Sequence, residues 1–149
     1  MRQNMSGWSQ AECDELKKAG IADEILYYHR ALGKEEKYTA HVFIAQYASP
    51  EQLKQNWERL NDNIALLYQS NVDSLLERSN FYLCFFLPKS MNTIEKEKIE
   101  NDAYCAKKYI FVSEKELSVE EKIQRVNEKI FELTYLESQD TSETKLLSM

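Results

Sequence analysis

The densest run of groups able to do chemistry is Glu95-Lys96-Glu97-Lys98-Ile99-Glu100-Asn101-Asp102. Carboxylates beside a lysine can hold Mg²⁺ and orient a hydrolytic water, so a metal-dependent nuclease using Glu95, Glu97 or Asp102 is one chemistry to weigh. A nuclease of the restriction type would place its acids on adjacent strands, whereas these fall on an expected helix. Alternating Glu and Lys there describe a solvated face supported by i,i+4 pairs, and that reading is favoured. His29 and His41 form no H-x-x-x-H pair, so a metal site would need two further scattered ligands. His41, inside an expected strand, reads as a hydrogen-bonded core or edge residue. Cys13, Cys84 and Cys105 make no C-x-x-C pattern. Cys84 sits among aromatics where a thiol stays protonated and inert, and Cys13 and Cys105 fall on expected helices. Reduced thiols in a cytoplasmic protein are the economical reading. Gly7, Gly20 and Gly33 stand alone, with no G-x-S-x-G, P-loop or G-x-G-x-x-G, so no backbone cradle for a nucleotide is expected. The chain is read as a non-enzyme without metal or cofactor.

The frame that must position these residues is bounded by composition. A chain of 149 residues fits one domain, and 43% hydrophobic with 30% charged residues is a globular profile. Only 3 Gly and 2 Pro are present, which disfavours a many-stranded sandwich or barrel with a turn every ~8–12 residues. The net charge is −6, and successive thirds of the chain are all acidic. No segment carries the basic footprint of a protein that binds DNA or RNA alone. The amino terminus lacks the apolar stretch of a signal peptide. The longest apolar run, Phe81 to Leu87, falls far short of the ~20 residues of a membrane span.

Along the chain, Ser9-x-x-Glu12 resembles a capping box, opening a helix that runs toward Lys18, breaks at Gly20 and resumes through Ile21, Ile25 and Leu26. Residues 32–37 are a polar connection. Tyr38–Tyr47, with continuous apolar Val42 to Ala45, reads as a strand buried on both faces. Ser49 and Pro50 start a helix whose Leu53, Trp57, Leu60, Ile64 and Leu67 form one stripe. A short helix around Val72, Leu75 and Leu76 follows. Phe81–Leu87 alternates between two apolar faces and belongs centrally in the sheet. Asn92 or Thr93 caps a helix from Ile94 to about Ala106, and Tyr109–Val112 is a further buried strand. The length of the connection predicts that these two strands, if adjacent, are parallel. Ser118-x-x-Glu121 is a second capping box before a helix with Val119, Ile123, Val126, Ile130 and Leu133. The expectation is an α+β or small α/β domain over 1–136, with about three buried strands, four or five helices and a strand–helix–strand crossover at 81–112. Residues 137–149 are expected to be a loose tail.

The aromatic strand Phe81–Leu87, the Ile99-Glu100-Asn101-Asp102 step and the stretch Cys105-Ala106-Lys107-Lys108-Tyr109-Ile110-Phe111-Val112 together resemble the middle components of ABC-three-component defence systems, which include the Lamassu type. The resemblance covers Phe81 to Val112. It carries the family motif onto Glu100, Asp102, Lys107 and Lys108, with Ala106 where an arginine is expected. It implies a non-enzymatic accessory subunit that bridges an ATPase similar to the structural-maintenance-of-chromosomes class to an effector nuclease, holding the effector inactive until DNA is sensed. DNA would be met only through the complex. The Glu/Asp pair could equally tie the crossover helix to the next strand.

The chain is also rich in aromatics, with 9 Tyr, 2 Trp and 6 Phe. Tyrosines are favoured interface anchors, so Tyr27, Tyr28, Tyr38, Tyr47 and Tyr68 are read as surface contacts. The rival functional reading is a small acidic immunity or antitoxin-like inhibitor of a basic toxin.

Overall fold

Runs of β-branched and aromatic residues alternating with amphipathic stretches build a mixed sheet with helices packed against it. The computed structural model describes residues 7–33, 35 and 37–130. The elements are β1 (Ser9–Ala11), α1 (Asp14–Lys18), β2 (Glu24–Leu32), β3 (Tyr38–Gln46), α2 (Pro50–Leu67), a 3₁₀ turn (Gln69–Asn71), α3 (Leu75–Arg78), β4 (Phe81–Leu87), α4 (Thr93–Glu100) and β5 (Lys107–Val112). A further helix, α5, occupies residues 119–130. The chain divides into two compact units, Met1–Glu116 and Leu117–Met149.

In the first unit the strands lie in the order β1-β2-β3-β4-β5. β1 with β2 and β2 with β3 are antiparallel, while β3 with β4 and β4 with β5 are parallel. The fold is thus α+β, as expected, and the parallel 81–112 crossover is present. The strand number is larger than expected, because β1 and β2 replace the start and the resumption of the first expected helix, of which α1 keeps Asp14–Lys18. Ser9 does not cap a helix: it pairs with His29 across the sheet. α1 ends at Lys18, and Gly20, with a φ of +63°, makes the left-handed turn after it. The chain then enters β2 rather than resuming as helix, and Ile25 and Leu26 lie opposite Ala45 and Ile44.

One face of the sheet gathers Ile25, Tyr27, Phe43, Ala45, Phe81, Leu83, Phe85 and Ile110 under Leu16 of α1, the α2 stripe and Ile99 of α4. The opposite residues, among them Tyr28, Val42, Ile44, Tyr82, Cys84 and Phe86, are buried as well. This explains the continuous apolar runs of β3 and β4. Ser49 caps α2 through its Oγ, which accepts from the Gln52 N–H at 3.1 Å. Leu53, Trp57, Leu60 and Ile64 are buried as the spacing predicts.

α4 is shorter than expected: it ends at Glu100, so Ala103 and Ala106 lie outside it. Asn92 provides its cap, accepting from the Ile94 and Glu95 N–H groups. In the second unit Ser118 and Glu121 form the expected reciprocal cap, and Ile123, Val126 and Ile130 are buried along one stripe. Leu133 and the expected tail 137–149 lie outside the described residues.

Candidate functional site

The residues that carry the resemblance meet where α4 gives way to β5. Lys108 enters β5 two residues before Ile110, and since Ile110 faces the helix-covered core, strand alternation turns Lys108 inward too. Its side chain is 0% exposed. A buried ammonium needs full hydrogen bonding, and Nζ donates to Asp102 Oδ1 at 2.6 Å, to the Asp102 carbonyl at 3.1 Å and to the Tyr104 carbonyl at 2.6 Å. Trp57 of α2 places its ring 6.0 Å from the same ammonium. The loop around this lysine is fastened from α2, since Asn61 Nδ2 also donates to the Tyr104 carbonyl at 2.9 Å.

Glu100 closes a second contact. β5 is the last strand of the sheet, so its outward N–H groups face no further strand. The Glu100 carboxylate accepts one of them, from Ile110, at 2.8 Å. Lys107 points to the opposite sheet face, is exposed, and lies 5.4 Å from the Tyr82 ring. The structure therefore brings Glu100, Asp102 and Lys108 to one junction, with Asp102 and Lys108 paired, and turns the Lys107 side chain to the other face of the sheet. Glu100 and Asp102 tie the end of the crossover helix to the strand, one of the two roles open from the sequence.

Beside this junction lies an open groove of about 640 Å³, bounded by Leu75 and Arg78 of α3, by the loop through Asp102 and Cys105, and by Lys107. Gln69 stitches its floor, donating to the carbonyls of Arg78 and Cys105. Cys105 is the one non-glycine with positive φ among the described residues, at +64°, and lies in the loop between α4 and β5, not on a helix. Burial pushes its thiol up to about 11, against the pull of Lys108. Cys13 immediately precedes α1 instead of lying on it, and burial raises its pKa as well. Cys84, in mid-strand and fully enclosed, is shifted further upward. None of the three is disulfide-bonded.

The tyrosines differ from expectation. Tyr27, Tyr28 and Tyr47 are 9%, 4% and 0% exposed, so the surface expected of them is absent; Tyr38 and Tyr68 are half-buried. Tyr27 belongs instead to a buried relay that sequence reasoning missed. The Glu77 carboxylate can only accept, so His41 Nε2 donates to it at 2.8 Å, which leaves neutral Nδ1 to accept from the Tyr27 hydroxyl at 2.7 Å. Burial lowers the His41 pKa more than Glu77 raises it. Burial likewise lifts Tyr27, helped by Tyr68 and Glu77, to about 12. The relay anchors α3, one wall of the groove, to β3. Register pairs His29 with His41, but nothing in the sequence announces Glu77 as the partner of His41.

The acids weighed for nuclease chemistry are dispersed. Glu95 pairs with Lys54 at 3.6 Å and Asp102 with Lys108. Among the described residues no three His, Cys, Asp or Glu side chains come together as a cation site.

A family profile described as ABC-three component (ABC-3C) system Middle Component 1 matches residues 40–141, well over half of the chain. The chain belongs to this family. The match includes most of β3, all of α2 and β4, and the whole polar junction. As a middle component 1 the chain is one part of a several-protein system, so its function involves protein partners. No match was found among curated proteins or among solved structures. Among the described residues, no helix is long and apolar enough to cross a membrane.

Proposed function

We propose that this middle component is a non-enzymatic accessory subunit of a cytoplasmic anti-phage or anti-plasmid defence complex of the Lamassu type. It bridges an ABC ATPase of the structural-maintenance-of-chromosomes kind to an effector nuclease and helps hold the nuclease inactive until DNA is sensed. The family match over residues 40–141 carries the reading. Two physical observations support it. Two of the three carboxylates weighed for metal-assisted hydrolysis, Glu95, Glu97 and Asp102, already serve structural partners: Asp102 binds Lys108 and Glu95 faces Lys54. The acidic net charge of −6 disfavours direct capture of a phosphate backbone, which supports DNA sensing through another subunit.

The deciding experiment is co-expression of the tagged chain with the genes that flank it, followed by affinity purification and nuclease assay. The expected result is a stable complex containing a large ATPase and an effector, with DNA cleavage that is low until DNA ends are supplied and higher when this subunit is omitted. Recovery of the chain alone, or with a single small toxin, refutes the reading.

A further inference from the structure

α3 rests on the fold without contributing to its core. From Asp73 to Ser79 every residue is exposed except Glu77, which is half-buried. The segment hangs between two anchored ends: Val72 packs on the core, and the Asn80 carbonyl accepts the His41 backbone N–H at 2.9 Å. Between them, Glu77 is the one side chain of the segment that bonds a strand among the described residues, accepting from His41 Nε2 at 2.8 Å. Gln69 adds an exposed tie to the Arg78 carbonyl. A helix of 4 residues has too few internal bonds to persist alone. A polar contact, rather than apolar burial, therefore decides whether α3 stays down.

That contact is made to a group that titrates. His41 is 8% exposed. The groups facing it are Tyr27 and His29 from β2, Phe81 from β4, stacked at 4.3 Å, and Glu77 from α3, with Tyr68 beyond Tyr27. The neutral ring fits this setting, with Nε2 donating to Glu77 and Nδ1 accepting from Tyr27. A protonated ring carries N–H on both nitrogens, so Nδ1 no longer accepts the Tyr27 proton. Glu77 favours the charged ring, but enclosure outweighs it and His29 opposes it, so the closed state binds the proton less readily than water-exposed imidazole does. Raising α3 returns the ring to water. By linkage, the open form gains on the closed form as pH falls through the ordinary imidazole value toward the lower closed-state one.

We infer that α3 is a hinged lid over His41, latched by Glu77 and released when the imidazole is protonated. Closed, it presents Leu75 and Arg78 as one wall of the groove. Open, it removes that wall and uncovers the Tyr27, His41 and Phe81 rings. This movement belongs to the chain itself and does not depend on the accessory-subunit reading.

The test is amide hydrogen exchange on the full-length chain, read at single residues by NMR and corrected for intrinsic exchange rates. The Arg78, Ser79 and Asn80 amides bond carbonyls of Ser74, Leu75 and Glu77, within the segment, and so report the lid. Amides around Leu60 and Ile64 in α2 report the fold as a whole. At about pH 7.5 the lid amides should exchange roughly a hundredfold faster than those of α2, and low urea should speed α2 while leaving the lid rates nearly unchanged. Glu77→Ala keeps a strong helix former in α3 and removes the latch, so the lid amides should exchange about tenfold faster than in the wild type. Between about pH 7.5 and about pH 5.5, lid protection should fall about threefold or more in the wild type and stay level in His41→Gln, which cannot titrate there. Lid amides as slow and as urea-sensitive as those of α2 overturn the inference, since α3 then opens only with the whole fold. So does an unchanged lid rate in Glu77→Ala, or an acid response in His41→Gln equal to that of the wild type.

Discussion

Individual side chains here are asked to hold charge and polarity in places where water is excluded, and each makes a measurable demand. His41 is the clearest. Its folded pKa lies below the ordinary imidazole value because burial outweighs the pull of Glu77. As pH falls, the unfolded chain takes up the proton first, so stability is full above about pH 6.5 and is lost as pH drops through that value toward the lower folded pKa. Urea midpoints at about pH 7.5 and about pH 5.5 should therefore diverge more for the wild type than for His41→Gln, which cannot titrate there. Parallel lines for the two proteins would refute this. Tyr47 makes the opposite kind of prediction. Its hydroxyl is buried and has no hydrogen-bond partner among the described residues, so Tyr47→Phe should leave stability unchanged or raise it by about 1 kcal/mol in chemical denaturation. The Lys108 pair gives an ordering. Asp102→Ala strands an ammonium that is 0% exposed, whereas Lys108→Met strands a carboxylate that is 34% exposed and can reach water. Asp102→Ala should cost about 3 kcal/mol, and Lys108→Met less, read from the same unfolding curves.

At the scale of elements, stability comes from caps and faces that were mostly readable. Ser49→Ala should cost about 1 kcal/mol by removing the Gln52 N–H acceptor from the start of α2, a loss visible in the thermal midpoint. The α2 stripe, β3, β4 and the parallel step to β5 follow from residue spacing alone, because each buries its apolar residues with a period that only one kind of element can satisfy. β2 does not. Ile21, Ile25 and Leu26 fit a helical spacing, and what makes the segment a strand is nine residues of pairing with β3, a partner that local sequence does not reveal. Residue spacing overextends α4 for the same reason: Ala103 and Ala106 continue its apolar spacing, but Lys108 pulls the Asp102 and Tyr104 carbonyls out of any helical ladder. The inward turn of Lys108 was legible in principle, since it shares parity with Ile110. The convergence of Tyr27, His41 and Glu77 was not, because strand register and the placement of α3 decide it.

The chain forms two compact units, and the family match takes in parts of both. Its acidic balance bears on what the isolated chain does with nucleic acid. At ~150 mM salt it should not shift a DNA duplex in a gel, because no segment of this acidic chain gathers enough cations to release the counterions that drive such binding. A shift that weakens steeply with salt would show a phosphate-binding surface on this subunit after all.

The bond between Glu100 and the Ile110 N–H also governs how experiments on this protein must be interpreted. It works as a stopper on the open flank of the sheet, a place where extended chains otherwise stack on one another. Glu100→Ala removes the stopper, and the expected result is concentration-dependent self-association, seen as rising mass by light scattering during size-exclusion chromatography. Such material would go missing from a pull-down for want of soluble protein, and a charge removed at this glutamate could then be mistaken for a severed partner contact.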